Sequence, residues 1–454
     1  MPLYPIRSYS HPRLLCLLGA LLFASASAAP APQLRISENH RHLETSDQAP
    51  FFWLADTAWE LLHRLDFEES KHYLHVRQDQ GFNVVQTVIL AEQNGLKVPN
   101  AQGDLPLHEL DPTRPNEAYF AHVDRVVAEA NRSGLVIALL PTWGDKFNRK
   151  WGVGPEIFTP SNAYTFGRFL GQRYANAAVV WVLGGDRSPE EPDDFAIIEA
   201  MAKGLREGDQ GRHLITYHPQ GRQTSARYFH AAKWLDFNMH QSGHGDPDYP
   251  NFKDTLTDYR REPTKPVVDG EPCYEDIPIG FKPENGWFGA FATRRAAYWS
   301  VLAGALGHTY GHHSVWQMWR PGVSGALAPR TAWPEAIHYP GAHQVGYLKA
   351  LMESLPWTEL MPNEKTVVSG PTTGADAIRI AATPDFSTLV AYVPFGGEFT
   401  LDLAVVPTSG FWFNPRNATR IPLFTLPSRA GSAKFDPPAD EERGNDWVLV
   451  LRRL

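Results

Sequence analysis

VVWVLGGD, residues 179–186, is a run of five apolar residues closed by two glycines and an acid. An apolar run without alternation suits a parallel strand buried on both faces, and Gly-Gly marks its end. Working outward, the same texture recurs. Upstream lie LVIALLPTW (135–143), FNVVQTVIL (82–90) and FFWLADTAW (51–59). Downstream lie LITYHP (214–219), FNMHQS (237–242), KPVVDGEP (265–272) and HTYGHHSVW (308–316). The segments between them are mostly long enough for a crossover helix. AYFAHVDRVVAEANRSG (118–134) and NAYTFGRFLGQRYAN (162–176) carry apolar residues at three-to-four spacing, and the first stops at a glycine. Eight strand–helix units in about 270 residues predict a (β/α)8 TIM barrel. A doubly wound open sheet is the alternative, and the lack of a Gly-rich phosphate loop after the first strand speaks against it.

The barrel does not use the whole chain. A last helix is expected over about residues 341–354, followed by β-like runs such as AIRIAAT, TLVAYVPFG, TLDLAVV and WVLVLRR between Gly, Pro, Asn and Asp. The expected organisation is a barrel over 29–360 and a small antiparallel β-sandwich over 361–454. Residues 1–28 read as a signal peptide: Arg7 and Arg13, an apolar run from Leu14 to Phe23, and Ala26-Ser27-Ala28 at the cleavage site. No later stretch approaches the roughly 20 apolar residues of a spanning helix. A secreted or periplasmic protein with no membrane insertion follows. Removing the signal leaves 40 Lys and Arg against 50 Asp and Glu, a balance that does not seek nucleic acid or anionic lipid. One of the two cysteines leaves with the signal, so Cys273 has no partner for an intrachain disulfide.

In barrels of this type the reacting groups stand at the C-terminal ends of the strands. Those positions here are Asp56, Trp59, Gln86, Trp143, Asp186, His218, His240 with Gln241, Glu271, and His312 with Trp316. Donors, acceptors and aromatic planes of this kind suit a neutral polyhydroxylated ligand, and the 14 tryptophans add to that reading. Asp186 and Glu271, at the ends of strands four and seven, face each other across the barrel mouth. Two opposed carboxyl groups are what glycosidic cleavage needs, one protonating the leaving oxygen and the other attacking the anomeric carbon or activating water. Taken singly, an Asp after Gly-Gly is an ordinary turn or cap residue. Asp269 shares the face of Glu271 by strand alternation and is expected deeper, as an orienting partner. Arg187 is expected to point away, leaving Asp186 free to rise in pKa beside the charge of Glu271. A metal centre at His308, His312 and His313 is disfavoured. Strand one offers D-T-A-W rather than a His pair, no H-E-x-x-H occurs, and His312 and His313 would face opposite sides of a strand. No cofactor is expected, and no Ser or Cys nucleophile motif is present.

FFWLADTAW, GFNVVQ, VVWVLGGD, TYHPQG, HQSGHG, PVVDGEPCYE and AYWSVLAGALGHTYGHHSVWQMW together resemble the apiosidase-like glycoside hydrolases, family 140 of the sugar-active enzymes. The tail resembles the collagen-binding-type β-domain that follows the barrel in that family. The resemblance implies hydrolysis of a terminal apiose from rhamnogalacturonan II, with Asp186 of G-G-D as acid/base and Glu271 of D-G-E-P as nucleophile. The wider clan is retaining and usually carries Asn-Glu on strand four. Gly185-Asp186 stands there instead, and the shorter acid widens the gap; retention, which wants carboxyls about 5–5.5 Å apart, is the expected outcome, with inversion (roughly 6.5–9.5 Å) the alternative. Another furanoside or pyranoside as substrate, and a non-catalytic carbohydrate-binding barrel, are the competing readings. Oligomeric state is not legible.

Overall fold

The computed structural model describes residues 29–453. The signal-peptide reading of residues 1–28 lies outside them. Eight parallel strands form the barrel: β1 (Trp53–Thr57), β2 (Val84–Leu90), β3 (Val136–Thr142), β4 (Val179–Leu183), β5 (Ile215–Tyr217), β6 (Asn238–Gln241), β7 (Val267–Asp269) and β8 (Gly307–Tyr310). β8 pairs in parallel with β1, Gly307 opposite Trp53, and this closure excludes an open sheet. The remaining seams are narrow. Asp236 N–H donates to Ile215 O between β5 and β6, and Leu306 N–H donates to Val267 O between β7 and β8.

Strand alternation separates two cores. Val84, Val88, Ala138, Leu140, Val180 and Val182 fill the barrel, while Val85, Ile89, Ile137, Leu139, Trp181 and Leu183 face the helices. The bottom of the barrel is stopped by an antiparallel N-terminal ribbon, Leu34–Ile36, Leu43–Thr45 and Pro50–Phe51, whose Leu34, Leu43 and Phe51 join the interior core. Only the end carrying the strand C-termini remains open.

The helical layer follows from capping and apolar spacing. α1 (Phe67–Asp79) begins with an Asp66–Glu69 capping box, and the Asn116 side chain caps α2 (Glu117–Arg132). α3 (Pro160–Arg173) and α4 (Pro192–Gly208) both start with proline in the first turn. These last two flank β4 and meet backbone to backbone. A Cβ added at Gly204 would lie 2.2 Å from Tyr164 O, and one at Gly171 2.5 Å from Leu205 O. α5 (Ala226–Phe229), α6 (Phe252–Tyr259), α7 (Ala290–Leu302) and α8 (Pro340–Glu353) complete the ring. Among the described residues no helix is long and apolar enough to cross a membrane.

From Met361 every strand pairing is antiparallel. Met361–Pro362, Arg379–Ala382, Thr388–Val393, Trp447–Arg452, Ser409–Phe413 and Arg420–Pro422 form one sheet in that order. Val367–Ser369, Phe399–Leu403 and Gly431–Phe435 form a second, and Leu401, Phe399, Trp412 and Leu449 pack between the two. The larger sheet docks on α7. Tyr298 stacks on Tyr392 with ring centroids 4.7 Å apart, and Trp299 Nε1 donates to Ala377 O at 2.8 Å. At the centre Arg294 makes a bidentate pair with buried Asp446, at 2.9 and 2.6 Å, and Tyr392 donates to the same carboxylate. Removing one partner of such a pair strands the other without solvent. Asp446→Ala is therefore expected to cost about 3–5 kcal/mol, read as a lowered Tm, whereas Arg294→Met with Asp446→Leu recovers much of the loss.

Candidate active site

The G-G-D turn has a definite physical cause. Gly184, Gly185 and Asp186 all have positive φ, at 95°, 72° and 56°. A Cβ on Gly184 would strike His218 O at 2.3 Å, and one on Gly185 would meet Trp143 Cα at 2.9 Å. The two glycines thus permit a left-handed turn pressed against the neighbouring strand ends, and Asp is among the side chains that tolerate this conformation. The turn brings Asp186 into a cavity of about 560 Å³ at the open end of the barrel.

Glu271 enters the same cavity from the end of β7. Its backbone is held on both sides: Gly270 N–H donates to His240 O, Gln86 Nε2 to Gly270 O at 2.9 Å, and Gly243 N–H to Glu271 O. Two imidazoles grip the carboxylate. His244 Nε2 lies 2.9 Å from Oε1, and His218 Nε2 lies 3.1 Å from Oε2 in an oblique contact. Each ring accepts a backbone N–H at Nδ1, His218 from Asp186 and His244 from Tyr274, which leaves Nε2 as the nitrogen carrying a proton toward Glu271.

These surroundings drive the two carboxyls apart. Burial pushes Asp186 up to about 6 and the charge of Glu271 adds to it, against opposing pulls from His218, Arg187 and the indole N–H of Trp151. Burial would raise Glu271 too, but the donors His218 and His244 outweigh it and hold the group down at about 2. Asp186 is thus shifted toward holding a proton and Glu271 toward the carboxylate form. The proton on Asp186 also has an assigned place. Trp151 Nε1 donates to Oδ2 at 2.9 Å, and an Arg187 nitrogen stands 3.6 Å from the same oxygen, so the proton is left on Oδ1. Arg187 therefore does not point away. It packs 3.9 Å from the Trp151 ring and gives its N–H groups to the carbonyls of Asn148, Asp186 and Trp151.

Of the other predicted contacts, Trp59, Trp143, Gln241 and Trp316 line the cavity. Trp59 and Trp143 meet at 5.1 Å, with His218 tucked beside both rings. Asp56, Gln86, His218, His240 and His312 do not line it, and the ligand contacts expected of them are not found; His218 is buried behind Glu271 and faces its carboxylate instead. Asp56 is buried against Arg77 (2.7 Å) and Tyr73 (2.5 Å), tying β1 to α1. Gln86 crosses the barrel to hold Gly270. His240 faces α6, 3.0 Å from Thr255 Oγ1. His312 caps the helical turn His313–Trp316 and packs against Tyr339. That turn also replaces the strand expected through His313, since β8 stops at Tyr310. Asp269 is taken up by Ser242 and Asn251, at 2.6 and 3.0 Å, and so fixes the loop that carries His244. Burial pushes the Cys273 thiol up to about 12. Among the described residues no group of three or more His, Cys, Asp or Glu side chains is arranged to hold a metal ion.

Reading strand ends alone misses His244, Trp151 and Glu92, which belong to the cavity through the loops after β6, β3 and β2. HQSGHG and the Gly- and Pro-rich KWGVGP are the sequence signals that mark two of those loops.

A parallel eight-stranded barrel with paired carboxyls in an aromatic mouth is the architecture of a glycoside hydrolase. The chain belongs to the apiosidase-like family, whose catalytic domain matches residues 37–359. Residues 361–452 match the family described as "Putative collagen-binding domain of a collagenase". Among solved structures, one titled a glycoside hydrolase is 31% identical with a TM-score of 0.84, covering 93% of this chain and 97% of its own. A glycoside hydrolase family 5 structure from Bacteroides vulgatus ATCC 8482 is 30% identical with a TM-score of 0.85, covering 92% and 93%. The comparison with curated protein sequences found no match.

Replacing His244 by Phe removes one donor and is expected to raise the pKa of Glu271, whereas Trp151→Phe removes a donor from Asp186 and raises that group instead. Carboxyl titration followed by NMR in each variant checks both directions.

Proposed function

We propose that this exported glycoside hydrolase removes a terminal apiose-like furanoside from plant cell-wall polysaccharide such as rhamnogalacturonan II, with retention of configuration. The observation that carries the mechanism is two carboxyls in one cavity with different surroundings: Glu271 faces the His244 and His218 rings, which hold it down, and Asp186 is pushed up by burial and by the charge of Glu271. Export rests on the charged, apolar and small-residue order of residues 1–28, and the sugar rests on family membership.

In the first step Glu271 attacks the anomeric carbon. The bond to the leaving oxygen breaks, its electron pair stays on that oxygen, and Asp186 Oδ1 delivers the proton. In the second step Asp186, now ionised, takes a proton from water. The water oxygen bonds to the anomeric carbon and the ester to Glu271 is released. The two histidine N–H groups suit Glu271 to this part, since they hold the carboxylate ionised and oriented. Trp59, Trp143 and Trp316 offer apolar planes for the C–H faces of a sugar.

Activity requires Glu271 ionised and Asp186 protonated. The rate should therefore rise as pH passes about 2, hold, and fall as pH passes about 6. A profile flat from acid to alkali would overturn the assignment. Sugar release from a panel of cell-wall glycans should show apiose for the wild type, with losses on the order of 10³-fold or more in Asp186→Ala and Glu271→Ala. The configuration of the first-formed product, read by NMR, tests Glu271 as nucleophile: an inverted anomer would rule it out.

A further inference from the structure

A third carboxyl, that of Glu92, stands in the cavity beside the other two, and the mechanism above does not use it. Its position is built. The preceding carbonyl, Ala91 O, accepts from the buried ammonium of Lys146 at 3.0 Å, and the following N–H, of Gln93, donates to buried Glu60 Oε1 at 2.9 Å. Two charged side chains without solvent contact thus clamp the backbone on both sides, while the half-buried Glu92 side chain makes no hydrogen bond or ion pair with any described residue. A position held this firmly, with its polar group left facing a cavity, is arranged for something that enters the cavity.

The groups around Glu92 decide its protonation. Asp186 follows β4, Glu60 follows β1, and Asp145 with Lys146 follows β3. Arg187 also stands near. Neither cation is free to pair with Glu92: Lys146 is committed to Asp145 Oδ1 at 2.6 Å, and the guanidinium of Arg187 to three carbonyls. Burial together with the charges of Asp186, Glu60 and Asp145 raises Glu92 to about 8. A carboxyl raised in this way keeps its proton, and so an O–H to donate, to higher pH than an ordinary glutamate.

We propose that Glu92 is a specificity-determining residue that donates this hydrogen bond to a hydroxyl of the sugar on the leaving-group side of the scissile bond. The side follows from Asp186, the group that protonates the leaving oxygen: it lines the same cavity and exerts the largest of the charge effects on Glu92. The proposal rests on the hydrolase reading above and adds to it a named contact for the second sugar.

The test compares two substrates of the same glycosyl unit, one with a sugar leaving group and one with a nitrophenyl leaving group. Glu92→Leu should raise KM for the sugar-leaving substrate about 5- to 10-fold, the loss of one neutral hydrogen bond, and the nitrophenyl KM less than twofold. Glu92→Gln, which keeps a donor, should recover most of the affinity. The wild-type KM for the glycan should climb above about pH 8 as Glu92 ionises, and that climb should vanish in Glu92→Gln. Equal effects on the two substrates, or a moved alkaline limb of kcat with KM unaltered, would show that Glu92 acts through Asp186 and overturn the proposal. Absence of wild-type turnover would sink the hydrolase reading instead. Without any substrate, the infrared difference between wild type and Glu92→Gln at pH 7 should contain the carbonyl band of an un-ionised carboxyl, and a carboxylate band there would refute the assignment.

Discussion

The imidazole of His218 stands between the two carboxyl residues and connects them. Its Nδ1 accepts the backbone N–H of Asp186, and its Nε2 faces Glu271. The contact holds β4 and β7 residues at one ring that itself follows β5. It sets the tautomer of the ring and so supplies Glu271 with a donor. It also anchors the left-handed turn that brings Asp186 into the cavity. His244 provides the second donor, and its loop depends in turn on Asp269, Ser242 and Asn251. The opposed ionisation of the pair is thus a property of the assembled barrel mouth.

Barrel closure holds that assembly together. Parallel pairing runs unbroken from β8 through β1 to β5, and single backbone bonds stitch the seams to β6 and β7. Gln86 reaches across the interior from β2 to the backbone beside Glu271, a contact that needs a closed barrel. On the outside, α3 and α4 flank β4 at backbone distance because glycines face each other there. The β-domain adds a buried ion pair and a tyrosine stack to α7, on the barrel's outer layer.

Much of this was legible in the chain. Apolar runs without alternation identify strands buried on both faces, and their spacing leaves room for the helices between them. Asp186 and Glu271 follow from the rule that residues just past the C-terminal ends of barrel strands face the open mouth. Four of the aromatic and polar lining positions, Trp59, Trp143, Gln241 and Trp316, follow by the same rule. The rule fails at Asp56, Gln86, His218, His240 and His312. A strand-end residue points to the ligand or to its neighbours according to small differences in where the strand stops, and periodicity locates that stop only to within a residue or two. β8 ends at Tyr310, and the two following histidines turn into a helix instead of continuing along the strand.

The sequence by itself determined the strand–helix alternation, the two architectures in series and the pair of acids, because these depend on local pattern and on position within a repeating unit. Only the tertiary structure decided what those acids are. The pKa shifts of Asp186, Glu271 and Glu92 depend on which N–H groups and charges surround them, and apart from Arg187 those come from residues distant in the chain. His244, Trp151 and Arg187 enter by loops whose course local pattern leaves open, since a loop's path is set by what it packs against.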